Sequence, residues 1–150
     1  MTLLRVNLTN GRIHHESLPE KYGMMGGRAL TSTMINDHVP ADCDPLGPDN
    51  RLIFAPGQLS GTSMANTGRL SVGGKSPLTG GIKEANSGGT MAAALARHGL
   101  RALVFEGTAP QDRLFNLVID SEGNARLENA QDFRGMRTYG LAEKLFDQYG

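Results

Sequence analysis

Residues 57–89, GQLSGTSMANTGRLSVGGKSPLTGGIKEANSGG, carry nine of the chain's twenty glycines and none of its eight aromatic residues. Each glycine gives up backbone entropy on folding, so such a density is kept only where the chain turns sharply or comes very close to another group. Taken alone, the stretch favours tight turns between short strands over ligand binding. Its other residues add chemistry: Arg69, Lys75 and Lys83 stand against Glu84, and Ser, Thr and Asn fill much of the rest. That is a cationic, donor-rich surface suited to an anion.

The stretch ends in Asn86-Ser87-Gly88-Gly89, directly before an Ala-rich run at 90–98. Asn86 or Ser87 is expected to cap a helix there, leaving free amides in front of it. A phosphate at such a helix start gains about 0.3–1 kcal/mol at exposed sites, and a charge-assisted bond from Arg69 or Lys75 about 1.5–3 kcal/mol. The side chains, more than the dipole, would hold the ligand.

The remaining chain reads as short strands and a few helices. Alternation over residues 3–9, Asn10-Gly11 and a return over 12–16 predict a β-hairpin. His14 and His15 are adjacent on its second strand and face opposite sides, so they suit solvated edge positions better than one metal. Gly26-Gly27-Arg28 opens a helix over 29–38 with Leu30, Met34 and Ile35 on one side. Arg28 at its start is unfavourable for the dipole and points either into water or to a compensating anion.

Residues 40–50 form a turn-rich connector with three prolines, in which Asp42, Asp44 and Asp49 suit turn capping better than metal binding. Cys43, beside carboxylates, has no reason to be a reactive thiolate. Strands are expected at 52–55, 69–72 and 100–106, and a second hairpin at 114–119 and 125–127. The 90–98 helix sets Met91 and Leu95 at i and i+4, on one side, and should end at Gly99. Glu106 before Gly107 suits a turn better than a catalytic acid, and 139–149 is an amphipathic helix with Leu141 and Leu145 inward. The fold class expected is α+β, a mixed or antiparallel β-rich base with hairpins and a few helices.

Length predicts one domain over residues 1–150, large enough for a real core. Fifteen basic and fifteen acidic residues balance, which argues against nucleic acid or a membrane surface as bulk partner. No run approaches a membrane span and the first residues lack a signal-peptide core, so a cytoplasmic location is expected. A single cysteine excludes an internal disulfide or a cysteine-rich metal site within the sequence.

The order of the pieces is specific. Gly26-Gly27-Arg28, DPLGPDNRLIFA at 44–55, Gly61-Thr62-Ser63, Gly68-Arg69, KSPLTG at 75–80, ANSGG at 85–89 and Phe105-Glu106-Gly107 follow one another. In this order the chain resembles the N-terminal domain of the tungsten-containing aldehyde ferredoxin oxidoreductase family, from Leu4 to about Tyr139. The resemblance implies a β-rich base that binds a tungsten or molybdenum bis-pyranopterin whose phosphates are joined through magnesium. Carried over by position, Arg69 resembles the arginine on a pterin phosphate, Asn86 the asparagine whose oxygen binds magnesium, and Ser87 and Gly88 the neighbours that approach the pterin. Lys75 and Arg28 are expected on the cofactor side.

The family's overall reaction would be oxidation of an aldehyde to a carboxylic acid, with electrons passed through a four-iron four-sulfur cluster to ferredoxin. The cluster's cysteines lie in a later domain, so the resemblance implies missing C-terminal domains or a partner subunit, and a truncated piece or split-gene product. This chain alone would then be inactive and contribute no catalytic residue; a homo-oligomer is compatible with it. Gln58 where the family usually has Pro, Met64-Ala65-Asn66, Ala29 and Phe133-Arg134-Gly135 depart from the pattern and leave the branch open. A non-catalytic module for a phosphate-bearing ligand or a subunit is the rival. A nucleotide domain is disfavoured, because neither G-x-x-x-x-G-K-[ST] nor a strand-bound G-x-G-x-x-G occurs.

Overall fold

A computed structural model describes residues 1–150. The chain divides into two compact units, Met1–Thr108 and Ala109–Gly150. The first is built on a six-stranded sheet in the order β2-β1-β6-β3-β4-β5, formed by β1 (Thr2–Asn7), β2 (Ile13–Ser17), β3 (Arg51–Pro56), β4 (Leu70–Lys75), β5 (Ile82–Ser87) and β6 (Leu100–Glu106). Only β1 and β6 run parallel; every other neighbouring pair is antiparallel. The α+β reading therefore holds.

The opening hairpin forms as its sequence predicts. Asn7 Oδ1 accepts the amides of Thr9 and Asn10, and Gly11 takes a left-handed φ of 71° to turn the chain. Along β1, Leu3, Leu4 and Val6 are buried, while Arg5 lies in an ion-pair cluster with Glu16 at 2.6 Å and Glu106 at 2.9 Å. Glu106 thus fastens a strand end through Arg5 and Arg51, a role that the turn reading did not include. His14 and His15 are exposed on the edge strand β2.

Helix α1 (Gly27–His38) supplies one layer of the core through Leu30, Thr31, Met34 and Ile35. Burying a Leu or Met side chain contributes about 1.5–3 kcal/mol each, so these positions outweigh the helix's poor start, an uncapped Gly26. Its close seat on the sheet depends on Gly73 of β4. A Cβ there would stand 2.7 Å from Thr31 Cβ and 3.2 Å from Ile35 Cδ1. At the other end of α1, fully buried Tyr22 donates its hydroxyl to Asp37 Oδ2 at 2.8 Å and meets His38 Nε2 at 2.9 Å.

Helix α2 (Met91–Arg97) departs from the sequence reading at its start and along its buried stripe. It begins after Thr90, with no side-chain cap, and it buries Ala92 and Leu95 while Met91 is left exposed. Seven residues give the buried stripe room for little more than one i, i+3 pair. Gly99 ends it with φ +70° and an amide bonded to Ala96 O at 3.0 Å.

The second unit holds the hairpin β7 (Phe115–Ile119) and β8 (Ala125–Asn129), with α3 (Thr138–Tyr149). Asp120 Oδ1 accepts the amides of Glu122 and Asn124 and shapes the turn. Leu141 and Leu145 are half-buried. A groove lined by Phe115, Leu117, Ile119, Leu145 and Phe146 runs along this unit. No helix of the chain is long and apolar enough to cross a membrane.

Two outcomes follow from this packing. Gly73→Ala is expected to lower stability by about 1–3 kcal/mol, measured by urea unfolding, because Thr31 and Ile35 must move to admit one methyl group. The Arg5 guanidinium, ahead of the smaller help from His14, holds the Glu16 carboxyl below the usual range. A depressed carboxyl pKa stabilises the fold above the unfolded value, and that contribution is lost as pH falls through the folded value. Glu16→Gln should therefore flatten the fall of stability below the ordinary glutamate range, and an unchanged pH profile would contradict the assignment.

Candidate functional site

The hairpin of β4 and β5 brings together residues far apart in the sequence. Its register sets Ser71 opposite Asn86 and Gly73 opposite Glu84. Side chains two apart on a strand share a face, so Ser71 and Gly73 of β4 and Glu84 and Asn86 of β5 all face α1. Gly27, at the helix start, lies over Ser71: a Cβ on it would be 3.4 Å from Ser71 Oγ.

Arg69 precedes β4 on this face, and its Nε donates to Asn86 Oδ1. Asn86 Nδ2 donates inward to Ser71 Oγ at 3.2 Å, and Ser71 itself is 2% exposed. No carboxylate lies within ion-pair distance of Arg69. Its guanidinium therefore keeps donors free for an outside anion. Beside it, a Cβ on Gly88 would come only within 3.8 Å of Arg69 Nη1, and one on Gly89 would meet nothing within 4 Å. Gly89 has φ +108°, so its freedom is used by the backbone while the space above it stays open.

Arg28, on α1, donates from Nε to Glu84 Oε2 at 3.1 Å. The anion compensating a cation at this helix start is thus a residue of the chain. The Glu84 side chain is only 10% exposed although most of β5 is open to solvent. Its carboxyl is held below the usual range first by the Ser71 hydroxyl, against the opposing effect of burial, with Arg28 and Asn86 adding to the lowering. Its second oxygen, Oε1, is buried with no donor in full hydrogen-bond geometry. Both facts fit a hydroxyl that turns: Ser71 Oγ already accepts from Asn86, so its own proton is free to swing toward the carboxylate.

Not every residue expected at the site is brought there. Asn86 and Ser87 end β5 instead of capping a helix, because the strand pairs with β4 through Leu70 and Ser87. Ser87 lies on the opposite face from Asn86, and its hydroxyl bonds to Gly88 O at 3.0 Å. Lys75 lies at the far end of β4, roughly 20 Å from Arg69 at strand rise. Its Nζ is engaged by the carbonyls of Ala41 at 2.6 Å and Cys43 at 2.7 Å. Cys43 Sγ, expected among carboxylates, is 4.0 Å from that amine.

Sequence reading passed over two groups. Arg101, at the head of the apolar run LRALVF, is 7% exposed and faces no carboxylate. Its Nη atoms donate to Gln58 O at 3.0 Å and Met25 O at 3.1 Å, tying together the two backbone segments that flank the start of α1 and the glycine-rich stretch. An arginine inside an apolar strand was the available signal. Ser71 carries none, since its partner is set by the hairpin register.

The glycines of the stretch divide by cause. Gly61 and Gly73 are pressed against Ala96 and Thr31 at 2.8 and 2.7 Å, so they serve packing inside the chain. Gly88 and Gly89 border open space beside Arg69. Here the donor-rich surface without side-chain cover is real.

Comparison with known proteins gives the family. The profile described as "Aldehyde ferredoxin oxidoreductase, N-terminal domain" matches residues 3–150. The chain belongs to that family. It is 37% identical over 150 residues to a tungsten-containing aldehyde ferredoxin oxidoreductase of Pyrococcus abyssi and 42% identical over 150 residues to that of Pyrococcus horikoshii. Each match covers 99% of this chain and 24% of the relative, so the chain spans about a quarter of those proteins' length. Among solved structures, the active site complex BamBC of benzoyl coenzyme A reductase, in complex with 1,5 dienoyl-CoA, superposes with a TM-score of 0.91 at 28% identity, over 98% of this chain and 22% of that one.

The Arg101 tie generates a prediction. Arg101→Ala removes both of these bonds, each worth about 0.5–1.5 kcal/mol net, together with the packing of a buried side chain. Urea unfolding should show a loss on that scale, and a neutral effect would mean that water replaces the guanidinium without cost.

Proposed function

We propose that this chain is the tungstopterin-binding part of a tungsten or molybdenum bis-pyranopterin oxidoreductase of the aldehyde ferredoxin oxidoreductase family. The observation that carries the reading is the contact of Arg69 with Asn86, beside two glycines that leave the space above them open. A guanidinium free of carboxylates can grip two phosphate oxygens at once. A neutral amide oxygen suits magnesium, a hard cation, without adding charge.

In this reading Arg69 would hold a pterin phosphate, Asn86 would offer Oδ1 to magnesium, and the open backbone at Gly88 would leave room for the pterin. Ser87 contributes through its backbone, since its hydroxyl bonds to Gly88 O. Arg28, at the helix start, is paired with Glu84 and so neutralises a carboxylate beneath the site, while Lys75, engaged by carbonyls, is left as a clamp on the 40–50 connector. The cofactor, when bound, supplies the oxygen-transfer and electron-transfer chemistry. This chain's own residues hold, orient and neutralise it.

The whole reaction proposed is oxidation of an aldehyde to a carboxylic acid, with ferredoxin as electron acceptor. An aldehyde is preferred to the coenzyme A thioester named for the solved neighbour because relatives at 37 and 42% identity carry that name, against 28% for the neighbour. The iron-sulfur cluster would sit on cysteines outside this sequence, which contains only Cys43.

Elemental analysis of the native protein, purified without oxygen together with whatever copurifies, decides the reading. Tungsten or molybdenum with iron and magnesium is expected, and Arg69→Ala with Asn86→Ala should lose most of the heavy metal while the fold survives. No heavy metal in protein from metal-supplied cells would refute it and leave a non-catalytic phosphate-binding or docking module.

A further inference from the structure

The magnesium role given to Asn86 requires that its amide present oxygen outward, and the structure holds a device for this. We propose that Ser71 and Glu84 are positioning residues which lock the Asn86 side chain with Oδ1 facing the phosphate-magnesium ligand. The inference rests on the preceding reading of that site and extends it to residues buried beneath.

The direction of each hydrogen bond is forced by the groups at the ends. Arg69 has only donors, so the Asn86 atom that meets its Nε is the oxygen. The other amide atom, Nδ2, then donates to Ser71 Oγ at 3.2 Å. Because that oxygen is an acceptor there, the Ser71 proton remains for a neighbour. The acceptor we assign to it is Glu84, two residues before Asn86 on the same face, whose buried Oε1 has no donor of its own.

Glu84 is an unusual residue to find under an anion site. Its side chain is nine-tenths buried on an otherwise exposed edge strand, and Oε1 lacks a fixed donor. A carboxylate beside phosphates would repel them. Arg28 answers that charge from α1 at 3.1 Å, so Glu84 works as an orienting acceptor at little electrostatic cost to the ligand. Were the Asn86 amide to flip, Nδ2 would face the Arg69 guanidinium, so that two donors would meet, and Oδ1 would claim the Ser71 proton that this assignment gives to Glu84.

Ligand-orienting partners of this kind typically change metal affinity by about 10–100-fold when removed. The test measures, by calorimetry on the purified full chain, the affinity for inorganic pyrophosphate with and without magnesium chloride. In the unaltered chain magnesium is expected to tighten binding. In Glu84→Gln and in Ser71→Ala, that gain should fall by about 10–100-fold. Without the metal, Glu84→Gln should bind pyrophosphate at least as tightly as before, since a negative charge is gone and Arg28 is released. A merely structural role would weaken both measurements together.

An unchanged magnesium gain in both variants overturns the positioning role while leaving the cofactor reading intact. Pyrophosphate binding with no magnesium gain in the unaltered chain overturns the metal role of Asn86, and this inference with it. The variants are read separately, and in Ser71→Ala the Asn86 side-chain amide protons should also exchange faster by NMR. Retained protection there counts against the proposal even if binding cannot be compared.

Discussion

The contact between Gly73 and Thr31 governs the architecture of the first unit. Because β4 has no side chain at that point, α1 settles onto the sheet closely enough to bury Leu30, Met34 and Ile35. The same seating brings the helix start over Ser71 and sets Arg28 within reach of Glu84. A larger residue would lift the helix, thinning the core and opening the polar face beneath it. Packing and site therefore share one cause.

Charge is distributed over this unit in two styles. At one end of β1 and β6, Arg5, Glu16, Glu106 and Arg51 neutralise one another in a partly buried cluster. At the glycine-rich end, Arg69 has no carboxylate partner and Arg101 bonds only to carbonyls, its Nε left without an acceptor, with only Glu84 opposing Arg28. Equal numbers of acidic and basic residues in the whole sequence conceal this separation. The first arrangement stabilises a strand junction; the second keeps a positive field available to an anion.

Local patterns made much of the fold legible. Asn10-Gly11 and the 120–124 turn carry hairpin chemistry, and the apolar runs at 52–55 and 100–106 become strands, because these signals depend on near neighbours. Arg69, Asn86 and Gly88 stand out in the sequence only through ordered motifs that resemble a known family. What escaped was non-local. Asn86-Ser87 before an Ala-rich run resembles a helix start, yet pairing with β4 extends the strand through both. Lys75 reads as one more cation of a basic stretch until the connector folds its carbonyls over the amine. The contacts of Asn86 with Ser71 and of Arg28 with Glu84 exist only through hairpin register and helix packing, neither of which a linear motif records.

The parallel pairing of β1 with β6 has a consequence for how the molecule is made. Thr2 lies opposite Leu100 and Asn7 opposite Glu106, so the centre of the sheet joins the two ends of the first unit. The opening hairpin can form as soon as it is synthesised, but β1 then waits for almost the entire unit before its second edge is paired, and contacts of such separation are slow to close. During translation the nascent β1 edge and the unfinished β3–β4–β5 meander are both exposed to wrong partners. The face of Arg69 and Asn86, carried by the meander, gains its final support from Arg101 only when that last strand arrives. Any ligand proposed for that face would therefore meet a finished seat only after the chain has closed its sheet.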